Sequence, residues 1–492
     1  MRSVKFLIVA LMSASLLFSC NKDENASLVL ERTSLYFNSW SDAAQVVSYT
    51  ATNAVTVAVA SYSTGWNATV DMSRREIMIW PVGASGEEDL TDDDLPKEGS
   101  VVVNALNKEG QATSYYINVY ITTTQSLDTA GRANCYVVTT PAMSYSFDVM
   151  HRPDGEPLAT ASVKLLWQSN PDIVKHVDMV GTNAMFYVAY SSQDESKLED
   201  TNAVIAAYNT SGEVVWSWHL WIVNENPLVM TDTYSNGKTF MRKNLGAFTN
   251  SNGLNDEQRI LDSYGMYYQW GRKDPFPRPY YFDATGADDE ARYDAQGIFI
   301  YENFELRTPS NGTVDYTTLY PMHYIFNDTH SEYNGDSGDG VGVGDWLISA
   351  NNALWSDTEK SVYDPCPAGW RVPTAQDLSV LHLSDEEDNT PLETARKQFG
   401  WNLSDGASTY FWSACGRRRY IDGKVENINY KDDVYPSQPQ PWEGHYWTSS
   451  TTADGRAISL YFDLTTTRTI NKFVGNQPRF RANGFQVRCV KE

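Results

Sequence analysis

The 492-residue sequence predicts a mainly β chain that closes in an α+β domain, with two β-sandwiches ahead of it. Three observations predict this. Tyr (30) and Trp (15) are abundant, and aromatic and β-branched side chains pack well on pleated surfaces. From Leu28 to Ile222, short runs of such residues recur between Asn, Ser, Gly and Asp clusters, the pattern of all-β sandwiches. From about residue 227 onward, ordered motifs rich in Trp, Gly and Pro take over.

The chain opens with a leader. Arg2 and Lys5 precede an apolar run, Phe6 to Phe18, which has the length of a signal h-region and is too short to span a bilayer. Leu17-Phe18-Ser19-Cys20 resembles the lipobox of diacylglyceryl-modified lipoproteins. On that reading residues 1–19 are removed and Cys20 carries the lipid that ties the mature chain to a membrane. Residues 20–27 form an acidic tether. Asn21-Lys22-Asp23-Glu24 within it resembles the export signal of Bacteroidetes lipoproteins that reach the outer face of the outer membrane. The expected location is the outer membrane, at the cell surface.

The first sandwich is expected over 28–123. Val46-Val47-Ser48-Tyr49, Val55 to Val59, Glu76 to Trp80, Val101 to Val103 and Tyr115 to Ile121 are among its roughly seven strands. The acidic stretch from Glu87 to Asp94 lies between strands and lacks the glycine turn and closing glutamate of an EF-hand loop. In size and position this part resembles immunoglobulin-like modules, including the BACON type, that precede functional domains in Bacteroidetes lipoproteins.

A second sandwich is expected over 128–226. Its strands include Ser162 to Trp167, Ala203 to Tyr208 and Val214 to Ile222, with the turn Asn209-Thr210-Ser211-Gly212 between the last two. Alternation along the last strand puts Val214, Trp216, Trp218 and Leu220 on one face, and Val215, Ser217, His219 and Trp221 on the other. Bulk on both faces predicts a strand covered on both sides, with His219 a hydrogen-bonded structural residue.

The formal charge is −24, and losing Arg2 and Lys5 with the leader takes it to −26. Such a surface repels phosphate backbones, which argues against nucleic acid as a partner. With Cys20 lipidated, Cys135, Cys366, Cys415 and Cys489 remain, and four cysteines allow three pairings. Neither CxxC nor a histidine cluster marks a zinc site, and no metal or cofactor is expected. GxSxG, HExxH, P-loop and dinucleotide motifs are absent, so the chain is not expected to be an enzyme.

Residues 227–492 carry the most specific signature. It runs through Phe240 to Gly246, Tyr264 to Phe276, Cys366-Pro367-Ala368-Gly369-Trp370-Arg371-Val372-Pro373-Thr374, Tyr446-Trp447-Thr448-Ser449-Ser450 and the closing Val487-Arg488-Cys489. This ordered series resembles the major paralogous domain family first named from Fibrobacter and common in Bacteroidetes lipoproteins. The resemblance implies a C-type-lectin-like fold, with a small twisted sheet, two helices and long irregular loops. A short helix is expected over 375–383 with Thr374 as its N-cap. Phe485 to Val490 is expected as a central last strand. Lectin-like folds often join the helix corner to the final strand, which implies a Cys366–Cys489 disulfide. Such a long loop closure contributes about 4–5 kcal/mol on a chain-entropy model.

Calcium-dependent sugar binding in lectins uses a Glu-Pro-Asn or Gln-Pro-Asp loop and a Trp-Asn-Asp strand. Here Gln438-Pro439-Gln440-Pro441-Trp442 has Gln440 in place of the carboxylate, and no Trp-Asn-Asp follows. Candidate ligand contacts are Trp442, held between Pro441 and Glu443, with His445 in the same aromatic cluster. Arg417 and Arg418 of the basic run Arg417-Arg418-Arg419 are two more. Such arginines meet an anionic glycan or a partner's carboxylates, or else neutralise the chain's own acids. Tyr446 and Trp447 are expected in the core. The expected role is therefore non-enzymatic adhesion or recognition of a glycan or surface protein. The alternatives are a structural subunit of a fimbrial or surface complex, and an enzyme of the formylglycine-generating or carbohydrate-active kind.

Overall fold

A computed structural model describes residues 25–85, 95–250, 256–283, 286–300, 304–329, 344–383, 398–426, 428, 443–464 and 473–492. The fold is mainly β, in two compact units. One holds the chain up to Val119 except Tyr36–Ser39; the other holds those four residues and Tyr120–Glu492.

Residues 27–121 form β1 (Ser27–Leu30), β2 (Ser34–Phe37), β3 (Gln45–Thr52), β4 (Thr56–Tyr62), β5 (Trp66–Asp71), β6 (Glu76–Pro81), β7 (Glu98–Leu106) and β8 (Ala112–Ile121), of which the last two residues of β2 and of β8 count to the second unit. These make two four-stranded sheets, ordered β1-β3-β6-β5 and β2-β8-β7-β4. The period-2 pattern is plain: Ile77 and Ile79 are buried while Met78 is exposed, and Val101, Val103 and Ala105 are buried in turn along β7.

The second unit starts with β9 (Thr124–Ser126), β10 (Cys135–Val138), β11 (Met143–Asp148), β12 (Ser162–Gln168), β13 (Val174–Val180), β14 (Asn183–Val188), β15 (Thr201–Tyr208) and β16 (Val214–Ile222). Sheets ordered β13-β14-β11-β9 and β10-β16-β15-β12 enclose a core of Tyr145, Phe147, Phe186, Ile205, Trp216, Trp218 and Leu220. Asn209 and Gly212 turn the chain from β15 to β16. The Asn209 carboxamide accepts from the backbone N–H groups of Ser211 and Glu213, and Gly212 takes φ +78°.

The far face of that sheet is not solvated. Cys135, Trp167, Val204, Trp221 and Val223 belong to a second core together with Met241, Leu245, Met266, Trp270, Trp447 and Phe485 from the C-terminal region. Residues 128–226 and 227–492 therefore share a core within one compact unit. Trp167 shows how the sharing is arranged. Strict alternation would send it to the same side as Val163 and Leu165, which lie in the sandwich core. The β12–β15 register shifts between Leu165 and Trp167, and this irregularity delivers Trp167 to the other core.

Among its described residues the C-terminal region has strands of two to nine residues and the six-residue helices Glu257–Asp262 and Val314–Leu319. Asp256 and Thr313 cap them, accepting from the N–H groups of Arg259 and Tyr316. The helix expected over 375–383 is absent. Thr374 and Asp377 do exchange the side-chain-to-backbone bonds of a capping box, at 3.0 and 2.9 Å. The backbone bonds that follow close at i+3, and the Ser379 hydroxyl donates to the Gln376 carbonyl, so the segment remains a series of turns.

The last segment is central but not one strand, since only Gly484–Phe485 and Val490–Lys491 pair as such. Between them Leu245 and Met241 donate to the carbonyls of Val487 and Cys489 on one side, and Trp447 donates to that of Gln486 on the other. The Gln486 side chain replaces a strand partner, donating to the Gly265 carbonyl and accepting from the Gly265 N–H and from Asn244 Nδ2. Cys366 and Cys489 form a disulfide across a separation of 123 residues. Cys135 and Cys415 are free and buried. Among the described residues no helix is long and apolar enough to cross a membrane.

The shared core predicts that residues 227–492 expressed without the second sandwich give no cooperative thermal transition, whereas residues 120–492 do; calorimetry of the two fragments decides this. Replacing Cys366 and Cys489 together by Ala is expected to lower stability by about 2–5 kcal/mol, read from denaturant midpoints.

Candidate functional site

Of the lipidation and ligand-contact residues singled out from sequence, Cys20 and Trp442 lie outside the described residues, as do the loops 87–94 and 438–442. The other three are corrected by the structure. Arg417, Arg418 and His445 are each 1–2% exposed and belong to the core, not to a surface that meets a ligand.

Arg417 and Arg418 form a strand flanked by Gly484–Phe485 and Val425–Glu426. Arg417 Nε donates to Glu426 at 2.9 Å. Arg418 donates to the carbonyls of Gly423 and Pro277 and to Asp289, with its guanidinium 5.4 Å from the Tyr267 ring and 5.0 Å from that of Phe304. A buried guanidinium requires this degree of pairing. These arginines neutralise the chain's own acids, the other reading weighed from sequence.

His445 Nε2 lies 2.9 Å from Glu443 Oε2, and Tyr461 donates to Glu443 Oε1 at 2.8 Å. Burial, the largest influence, lowers the His445 pKa to about 4 despite Glu443. Glu443 itself is held at about 2, because its bonds to His445 and Tyr461 and the charge of Arg417 outweigh burial. A neutral ring facing an ionised carboxylate must carry its proton on Nε2. His219 is likewise neutral, lowered to about 3 by burial, with Nε2 2.9 Å from Asn202 Oδ1 and Nδ1 3.4 Å from the Tyr268 hydroxyl. Tyr446 and Trp447 are core residues, and Trp447 Nε1 donates to the Tyr268 carbonyl.

The structure brings together a different set. A cleft of about 460 Å³ opens where the second sandwich meets the C-terminal region. Ser169, Asn170, Glu199, Asp200 and Asn224 come from the ends of the sandwich strands. Facing them are Phe248, Gln258 and Asp262 of the first helix and its approach, and Arg278, Glu290 and Tyr293.

Arg278 organises the floor. It is 4% exposed, and its Nε donates to Glu290 Oε1 at 2.9 Å. Its remaining nitrogens reach the Leu261 carbonyl and Asp262 Oδ1, and the guanidinium sits 3.8 Å from the centre of the Phe248 ring. Burial raises the carboxyl pKa of Glu290 in spite of Arg278. Asp200 is also raised, burial outweighing the hydrogen bonds from the Asn224 backbone and side chain. Glu199, Asp200, Asp262 and Glu290 outnumber Arg278, so the cleft is electronegative. Its residues span positions 169 to 293 with no motif, which is why the sequence did not reveal them. Among the described residues, no group of three or more His, Cys, Asp or Glu is placed to hold a metal ion.

No protein-family model and no curated protein matches this sequence. Among solved structures, 41% of the chain is similar to the SGBP-B protein of a Bacteroides ovatus mixed-linkage glucan utilization locus, solved with a mixed-linkage heptasaccharide. That match has 9% identity and a TM-score of 0.14, and the chain spans only 46% of that protein. Drosophila N-cadherin EC1-3 is similar over 41% of this chain and 67% of its own, at 15% identity and TM-score 0.17. The four N-terminal Ig domains of Dscam1 isoform 6.44 match 41% of this chain and 52% of theirs, at 11% identity and TM-score 0.13. At such scores the mainly β fold rests on the sheets described above, and nothing about function follows.

Two buried neutral histidines set a pH dependence. Unfolding lets each ring take up a proton once pH falls below about 6.5, which the fold resists until about 4 for His445 and about 3 for His219. Their contribution is complete above pH 6.5 and is lost as pH falls, by about 2–3 kcal/mol per ring at pH 4.5. Asp345, raised to about 6 by burial, acts in the opposite direction. Variants therefore isolate the effect: His219→Gln and His445→Gln are expected to show a shallower loss of denaturant midpoint between pH 6.5 and 4.5 than the parent chain.

Proposed function

We propose that this chain is a non-enzymatic surface lipoprotein, anchored in the outer membrane through acylated Cys20, that recognises a glycan or surface protein. On this reading the C-terminal region is a lectin-like domain of the major paralogous kind. The observation that carries recognition is the cleft. Its volume falls in the range of small-ligand sites, it combines polar groups with Phe248 and Tyr293, and it stands on packed elements.

A second reading, carboxylate-based hydrolysis, is favoured by one observation: Asp200 and Glu290, both with raised pKa, line the same cleft.

A glycan array probed with the soluble chain from Lys22 onward, with and without Ca²⁺, tests the proposal. Binding that survives chelation and disappears in Gln258→Trp, which fills the cleft from an exposed position, is the expected result. Loss in Trp442→Ala instead would move the site to the 438–442 loop. Shortened glycan products would establish the hydrolytic reading.

A further inference from the structure

We infer that the cleft between the second sandwich and the helix Glu257–Asp262 selects a hydrogen-donating, non-anionic ligand: the hydroxyls of a neutral sugar or the ammonium of an amino sugar. This rests on the recognition reading and deepens it by naming the ligand class.

The argument is a count of donors and acceptors. The side-chain amide and guanidinium donors of the lining each already bond to the protein. Asn170 Nδ2 donates to the Asp200 carbonyl at 2.7 Å. Asn224 Nδ2 donates to the Leu198 carbonyl and to Asp200 Oδ1. Gln258 Nε2 donates to Asp262 Oδ1 at 2.9 Å. The Arg278 guanidinium is taken up by Glu290, Leu261 and Asp262.

The acceptors are not exhausted. Glu290 is 5% exposed; no donor among the described residues meets full hydrogen-bond geometry at its Oε2, and the Ser169 hydroxyl is the nearby group that favours its ionised form. The bonds that reach the Asp200 and Asp262 carboxylates land on Oδ1 in each case. A buried carboxylate oxygen without a donor is costly, and a ligand that supplies one recovers that cost. Burial strains the ionised forms of Asp200 and Glu290, and donated hydrogens relieve this.

Hydroxyl and ammonium groups bring donors. Carboxylate, sulfate and phosphate bring only acceptors and negative charge into a cleft holding four acids against one arginine. Arg278 offers an anion little, because its nitrogens already face Glu290 and Asp262.

Calorimetric titration of the mature lipidated chain, held in a sugar-free detergent, tests this with three probes: cellotetraose, the fully deacetylated glucosamine tetramer and tetragalacturonate. The expected result is binding of at least one of the first two, about tenfold or more tighter than tetragalacturonate. Asp200→Asn is expected to weaken it about tenfold and Gln258→Trp to abolish it, with the thermal transition of each variant checking its fold. Which of the two probes binds tells hydroxyl from ammonium recognition. Tetragalacturonate binding as tightly as the others overturns the inference, and so does binding unchanged in Gln258→Trp. Silence of all three probes also overturns it; the recognition reading falls only if the glycan array and captured surface proteins are silent as well.

Discussion

The second compact unit depends on one strand being covered on both faces. β16 turns Trp216, Trp218 and Leu220 into the sandwich core, while Trp221 enters the C-terminal core and donates its indole N–H to the Ala247 carbonyl. The polar residues of that second face are bonded across it. Ser217 donates to Asp274 and accepts from Lys273, and His219 lies between Asn202 and Tyr268. Asn202 in turn donates to the Gly246 carbonyl. A polar group left unpaired at such depth costs about 1–3 kcal/mol, so each of these bonds ties the register of one layer to that of the other.

The C-terminal region needs that support because its strands are short. Side chains do much of what longer ladders would do. Gln269 Nε2 bridges the carbonyls of Ile325 and Ala482, Arg272 reaches those of His323 and Pro321, and Trp346 Nε1 donates to that of Trp270. Four of the buried cations are each held by an acid: Lys273 by Asp274, Arg278 by Glu290, Arg418 by Asp289 and Arg481 by Asp345. Removing one partner from such a pair leaves an uncompensated charge, and the penalty makes the loop arrangement unique even where the pair adds little net stability. The cleft is a product of the same join. Where the strand ends of the sandwich diverge from the first helix, the apolar contact gives way to carboxylates and amides.

Much of this was legible from residue order. The alternation from Trp216 to Ile222 assigned both faces of β16, because a strand's side chains have a period of two, whereas Val215, at the β15–β16 register shift, packs on the sandwich core instead of the face expected for it. The Thr374 cap was visible for a similarly local reason, though the helix behind it was not, since only i+3 bonds follow. Trp167 was not legible, because one register shift reverses its side. Arg417 and Arg418 read as surface charge because Arg418's acid, Asp289, stands 129 residues away.

The sequence by itself determined which segments are strands, which faces are apolar and where the backbone turns, since these follow from local sterics and from the period of the pattern. Tertiary structure decided that the second sandwich and the C-terminal region share a core, that the arginine run is internal, and that residues between 169 and 293 meet in one cleft. Those outcomes rest on burial and on charge pairing between distant positions, and both are properties of the packed chain rather than of any stretch of it.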